Sequence, residues 1–434
     1  MRFLMVSLLA LAAAMPASAD TLGEAMAAAA DGNPTLAAQR QRLRATREAL
    51  PQAWAEALPQ VSLSAGATRS ARDGNLPDGT PITSPAEESW SGSASASQLL
   101  FGSGRVLAST RAARAQIRGA VADYDFALQN LLLDVTRAYA DVRQAQAVVA
   151  ARETTVSNLT TLYEYAQAQF DAGVVTRTDV AQSQARLAQA RTQLVQAQGA
   201  LAASFQAYQR LVGRPPSDLQ APPSTLGLPL DLQRALEEAG RNSPVLISAI
   251  ADTELADANV DSVAASGRAR LTLEGSQSIS GDFSPGDFEA EGDSIGVRLS
   301  VPLFQGGAIR SRTRAQRALR SAANLDLAAA QRSVQEGVTN AWTGLASARA
   351  AVDSAREQVE AAELAYEGVR LEQETGLRST VEVLDQEQDL LTARLALAQA
   401  ERDLVVAERQ LLAQIGALDV PAAEAPQDDQ LRGR

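Results

Sequence analysis

The chain has 434 residues and a formal net charge of −12, with 39 basic side chains, all of them arginine, against 51 acidic ones. It contains neither Cys nor His, which excludes disulfides, thiol and imidazole catalysis and the usual zinc ligands. Its acidity speaks against a nucleic-acid partner, the absence of Lys rules out a Walker-type phosphate loop, and no catalytic residue, cofactor or metal site is assigned.

The first 19 residues read as a secretory signal. Arg2 supplies the charge, Phe3 to Ala14 the apolar stretch, and Ala17-Ser18-Ala19 a small-residue cleavage site, so the mature chain is expected to start at Asp20. The apolar stretch is too short to span a bilayer. Lipid attachment at a processed N-terminal Cys is excluded because no Cys exists. No later run is long enough for a membrane-crossing helix, so any span must be made of strands.

The rest is a duplication. Phe101 matches Phe304, Thr110-Arg111-Ala112 matches Thr313-Arg314-Ala315, and Gly173, Val180 and Gly213 match Gly376, Val383 and Gly416, every pair 203 residues apart. Pro34 matches Pro244 and Val61-Ser62-Leu63 matches Leu271-Thr272-Leu273 at an offset of 210. About seven extra residues are therefore expected in the first repeat, in a loop around Asp73 to Glu88.

Residues 20–213 form the first repeat: a helix, a β-hairpin over about 60–101, and long helices over about 104–170 and 177–212. A Pro-rich linker, 214–230, follows. Residues 231–416 repeat the order, with a hairpin over about 269–304 and helices over about 307–373 and 379–415. Residues 417–434 read as a disordered acidic tail with Glu424, Asp428 and Asp429.

Alanine carries much of the 46% hydrophobic content, while aromatics make up only 4%. That composition predicts long helices in shallow, close contact rather than a thick core. Val121, Tyr124, Leu128, Leu131, Val135, Ala138, Val142, Ala145 and Val149 alternate spacings of three and four, as do Leu390, Ala393, Leu397, Ala400, Leu404, Ala407 and Leu411. Sustained heptads predict coiled-coil packing; Arg152 is the one discordant position.

The strands are short and two-sided. Val61, Leu63 and Ala65 alternate with Ser and Gly, and Ile295, Val297, Leu299 and Val301 alternate with Gly296, Arg298 and Ser300. Either an outer-membrane barrel strand or a half-buried soluble sheet gives this pattern. Four strands cannot close a barrel and open edges cannot face lipid, so a membrane reading requires several chains; three supply twelve strands. Phe101 and Phe304 mark the passage from strand to helix, as membrane-interface aromatics or as core packing. Trp90 and Phe283 lie nearer the loop side.

With these features in place, the sequence resembles the TolC family of outer-membrane efflux proteins over nearly its whole mature length. The segments Phe170-Asp171-Ala172-Gly173-Val174-Val175-Thr176-Arg177-Thr178-Asp179-Val180 and Thr375-Gly376-Leu377-Arg378-Ser379-Thr380-Val381-Glu382-Val383-Leu384-Asp385 look like helix–turn–helix tips. Gly173 and Gly376 would reverse the chain. Val175 to Val180 is most similar to the branch serving type I secretion.

The resemblance implies a mostly α fold with a small β part: internally duplicated coiled-coil helices plus two hairpins, assembling as a homotrimer with a 12-stranded β-barrel and a 12-helix α-barrel. It also implies an exit duct in the outer-membrane lipid with its tunnel in the periplasm. The implied partners are a periplasmic membrane-fusion adaptor and an inner-membrane ABC transporter or proton-driven pump. Glu382 and Asp385 match the family's constricting carboxylates, where Asp usually stands in place of Glu382. Three copies would ring the axis, attract cations and raise one another's pKa values. Arg378 matches a basic clasp residue, and Thr178 and Asp179 match its partners. A Tyr that assists the clasp in some members is Gln373 here.

Type I protein secretion is the leading expectation, and a proton-driven multidrug or metal efflux duct the alternative. A periplasmic coiled-coil adaptor or a structural protein is the expectation from a different class. An enzyme is not expected.

Overall fold

The structure is a computed structural model that describes residues 20–75, 77–79, 81–223, 227–283 and 289–420. The signal segment and the end of the acidic tail lie outside the described residues. The chain divides into two compact units, one built on residues 41–123 and 245–330 and the other on the remainder.

The first of these units holds the sheet. Strands β1 (Gln60–Asn75), β2 (Pro81–Phe101), β3 (Arg270–Asp282) and β4 (Ala290–Ser300) form one antiparallel sheet in the order β1-β2-β3-β4. The two hairpins of the duplication join through β2 and β3. Among the described residues the outer strands, β1 and β4, each have a single partner.

Register sorts the side chains onto two faces. Val61 pairs with Ala96, Leu63 with Ala94, Leu271 with Leu299 and Leu273 with Val297 on one face. The other is hydroxyl-rich and charged: Ser62 and Ser95 meet at 2.7 Å, Ser64 and Ser93 at 2.7 Å and Ser276 and Ser294 at 2.9 Å, and Arg298 Nε donates to Glu274. A register shift between Leu99 and Phe101 brings Phe101 opposite Leu271, on the apolar face. Leu63 and Ile295 are each 83% exposed. Around Leu63, Leu273, Ile295 and Val297 this face is apolar and open and suits being covered, while toward the β3–β4 loop it carries Gln277, Glu291 and Asp293.

The extra residues of the first repeat lengthen strands rather than a loop. The expected loop around Asp73 to Glu88 is mostly paired backbone: Arg72 faces Ser84, Gly74 faces Ile82 and Asn75 faces Pro81. Strand lengths of 16 and 21 residues in the first hairpin, against 13 and 11 in the second, absorb the insertion. Polar, Gly-containing sequence pairs as well as apolar sequence does when a partner strand already fixes its register.

Two 67-residue helices, α4 (Arg105–Asp171) and α8 (Ala308–Glu374), leave the sheet; α5 (Arg177–Val212) and α9 (Thr380–Ile415) follow them. Each repeat opens on two helices about a proline rather than on the single one expected. They are α1 (Leu22–Gly32) and α2 (Pro34–Arg47) in the first repeat, where the short α3 (Ala49–Ala55) follows, and α6 (Leu232–Asn242) and α7 (Pro244–Ala265) in the second. Asn33 caps α2 by accepting from Thr35 N at 2.9 Å.

Small and branched apolar side chains core the helical unit. Leu159, Leu162, Leu187, Ala190, Val383 and Leu384 form one buried cluster, and Val352, Ala355 and Ala400 another. Each buried leucine there contributes roughly 1.5–3 kcal/mol. Arg152 is accommodated by donating to Gln193 on α5 at 2.7 Å. Among the described residues no helix is long and apolar enough to cross a membrane.

Candidate functional site: the paired helix tips

The two turns linking α4 to α5 and α8 to α9 share one construction. Gly173 has φ 75° and Gly376 φ 77°, left-handed values at which a side chain is strained. At the first turn Val174 N donates to Gln169 O and Gly173 N to Phe170 O, both at 2.9 Å. At the second, Leu377 N donates to Glu372 O and Gly376 N to Gln373 O, again at 2.9 Å. This bond pair satisfies the last carbonyls of a helix in a Schellman ending.

The following helices start on matching capping boxes. Thr176 N donates to Asp179 Oδ2 at 2.9 Å, and Asp179 N returns a bond to Thr176 Oγ1 at 3.3 Å. Ser379 N donates to Glu382 Oε2 at 2.8 Å, and Glu382 N returns one to Ser379 Oγ at 3.4 Å. The candidate gate carboxylate Glu382 therefore also starts its own helix.

Its second oxygen is taken by Arg378. Arg378 Nη1 donates to Glu382 Oε1 at 2.7 Å, while its Nε donates to Glu372 Oε2 at 2.8 Å. Arg378 thus ties the end of α8 to the start of α9. The Ser379 backbone N–H, and then Arg378, hold the Glu382 carboxyl down at about 2. Mutual repulsion of a carboxylate ring, which would raise it, has no counterpart within one chain. Asp385 binds Arg186 of α5 at 3.2 Å, and this pair links the α4–α5 helical hairpin to the α8–α9 one.

The clasp partners inferred from the resemblance are placed differently within the chain. Asp179 is engaged by Thr176, which lowers its pKa through the backbone N–H and the hydroxyl. Thr178 is exposed. The i,i+4 spacing and the short arc back to Glu372 give Arg378 nearer anions. Gln373 is buried and donates to Thr380 Oγ1 at 3.3 Å, pinning the turn from inside. Ser/Thr and Asp/Glu just beyond each glycine suit a helix start in the sequence, and Ser379 with Glu382 forms one; sequence reasoning missed Glu372 and Arg186.

Residues 26–214 and 235–417 match the outer membrane efflux protein family, one segment per repeat. The chain belongs to this family. Among its relatives, TolC of Vibrio cholerae is 27% identical over 92% of this chain and 91% of its own length. The outer membrane efflux protein BepC of Brucella suis is 28% identical over 67% of this chain and 64% of that one, so the match spans somewhat less than two thirds of BepC. The alkaline protease secretion protein AprF of Pseudomonas aeruginosa is 28% identical over 67% of this chain and 62% of its own. The solved outer-membrane channel OprN shares the fold with a TM-score of 0.78 at 23% identity, covering 92% of this chain and 90% of that one. Efflux proteins of this family are outer-membrane channels with a periplasmic helical tunnel, not enzymes.

Proposed function

We propose that this outer-membrane efflux channel is the exit duct of a type I protein secretion system. It would act as a homotrimer joined by a periplasmic adaptor to an inner-membrane ABC transporter. The observation that carries the conduit is the sheet, whose exposed apolar face and two single-partnered edges demand both lipid and further strands. Similarity to a protein named for alkaline protease secretion supports the secretion branch.

In this reading the tips are the gate. Three copies of Glu382 and Asp385 narrow the periplasmic mouth and favour cations. Arg378 holds each tip in its closed shape through Glu372 and Glu382, and Arg186 holds the hairpins together through Asp385. Engagement by the adaptor exchanges these weak surface contacts for others, and the helices part. Phe101 and Phe304 anchor the periplasmic-side interface of the outer membrane, and the mature chain begins at Asp20 after removal of residues 1–19.

The test is deletion of the gene followed by comparison of secreted proteins. Loss of a large extracellular protein, retained inside the cell, is expected. Unchanged secretion with raised sensitivity to small toxic compounds would transfer the function to proton-driven efflux, the reading that similarity to the efflux protein BepC supports.

A further inference from the structure

Asp20 is held far more tightly than a chain start ordinarily is. It is 3% exposed. Its carboxylate pairs with Arg214 at 2.7 Å and accepts from Ser217 N at 3.4 Å. Its carbonyl oxygen accepts from the Tyr139 hydroxyl at 2.8 Å and from Gln220 N at 3.3 Å, and its backbone forms a parallel bridge with Leu219. Thr21 then caps α1 in a box with Glu24.

Beside this stands Tyr208, fully buried, with its ring packed on Tyr139 at 6.4 Å between centroids. Its hydroxyl has no hydrogen-bond partner among the described residues. A buried hydroxyl without a partner costs about 1–3 kcal/mol and calls for an occupant. The charged groups acting on Tyr208 are Asp20, Glu24 and Arg214, two anions and one cation. Arg143 acts on the neighbouring Tyr139, and Glu24 has no ion-pair partner among the salt bridges of the described residues.

We infer that removal of residues 1–19 delivers the new α-ammonium of Asp20 into a buried receptor whose acceptor is the Tyr208 hydroxyl, with Glu24 as its counter-charge. The ligand is the chain's own primary ammonium. An uncleaved chain offers only a neutral amide at this place, so processing completes the fold of this unit. Burial, and then the Asp20 carboxylate, push the Tyr208 hydroxyl up to about 12, so it stays neutral and serves as a hydrogen-bonding group. The inference rests on cleavage before Asp20 and is independent of what the duct carries.

The chain has no lysine, so the mature α-amino group is its only primary amine. Purified mature protein is therefore treated with an amine-acetylating reagent near neutral pH, native and unfolded in guanidinium, and read by intact mass. The expected results are a chain beginning at Asp20 and native labelling slower by roughly tenfold or more, as local opening would require. Tyr208→Phe should regain most of that rate. A variant with one Gly inserted between Ala19 and Asp20, which carries the amine out of the receptor without touching the core, should label as fast as unfolded protein. A different first residue, fast native labelling, or full protection in either variant overturns the inference.

Discussion

Asn158 of α4 reaches across to α9 and donates through one amide nitrogen to both oxygens of Glu387, at 3.0 and 3.2 Å. Glu387 is 1% exposed and lies next to the buried Val383–Leu384 cluster, two residues beyond the candidate gate residue Asp385. Burial raises its pKa, while hydrogen bonds from Asn158, Thr155 and Tyr366 oppose the rise. Because the folded-state value is raised, the folded chain binds this proton more readily than the unfolded chain. Stability from this group is thus fullest below the ordinary carboxylate range and is lost as pH rises through the folded value. Glu387→Gln should flatten that dependence in thermal unfolding followed by circular dichroism. Asn158→Ala, which strips a donor from a buried charge, should cost about 1.5–3 kcal/mol.

At the tip the sign is reversed. Glu382 is held at about 2, so its bond to Arg378 is present above the ordinary carboxylate value and is lost only as pH falls toward 2. Within one chain nothing brings Glu382 into the range pH 5 to 7, so a Glu382-dependent step in planar-bilayer conductance across that range would report the mutual repulsion of the three copies in the assembled mouth. Arg378→Ser should raise conductance severalfold by releasing both Glu372 and Glu382. Glu382→Ala combined with Asp385→Ala should reduce cation preference and relieve block by divalent cations.

The face of the sheet predicts depth in the membrane. Trp90 shares the apolar face with Ala67, and a Cβ on Gly281 would meet the Trp90 ring at 3.0 Å, so the indole covers that glycine. Trp90 and Phe101 stand eleven positions apart on β2. At about 3.3 Å per residue and a tilt of about 40°, that is about 28 Å of height, close to the ~25 Å band of outer-membrane barrels. Trp90 fluorescence should be quenched by lipids brominated near the headgroup and only weakly by lipids brominated at the chain ends. Strong quenching by the latter would place it at the bilayer centre.

Gly416 ends α9 with φ 78°, and a Cβ there would run into the Asn242 carbonyl and Ser243 N. Gly416→Ala should destabilise the protein by more than the ~1 kcal/mol of left-handed strain alone, measured as a fall in Tm. Gly199→Ala, in open space on α5, should be neutral or slightly stabilising.

Much of this was legible in the residues themselves. The 203-residue offset fixed the duplication, the heptads the long helices, and Gly173 and Gly376 the reversals. Strand length was less legible, because Arg72 to Asn75 pair for their position beside β2 rather than for their composition. Trp90 gains a role only through the register, which places it over Gly281 and on the face of Ala67. Arg378 and Glu382 stood out in the sequence, but their closest partners did not. Glu372 meets Arg378 only through the turn, and Arg186 meets Asp385 only because the two hairpins pack together. Glu387 reads as one more acidic residue on a helix until Asn158 and the leucines enclose it.

The most direct measurement is photo-cross-linking in living cells from Leu377, which is 77% exposed at the apex of the second tip, followed by mass spectrometry of the proteins captured. Type I secretion predicts a periplasmic adaptor, with an ABC transporter recovered alongside it. Recovery of a proton-driven pump in place of the ABC transporter would contradict that account.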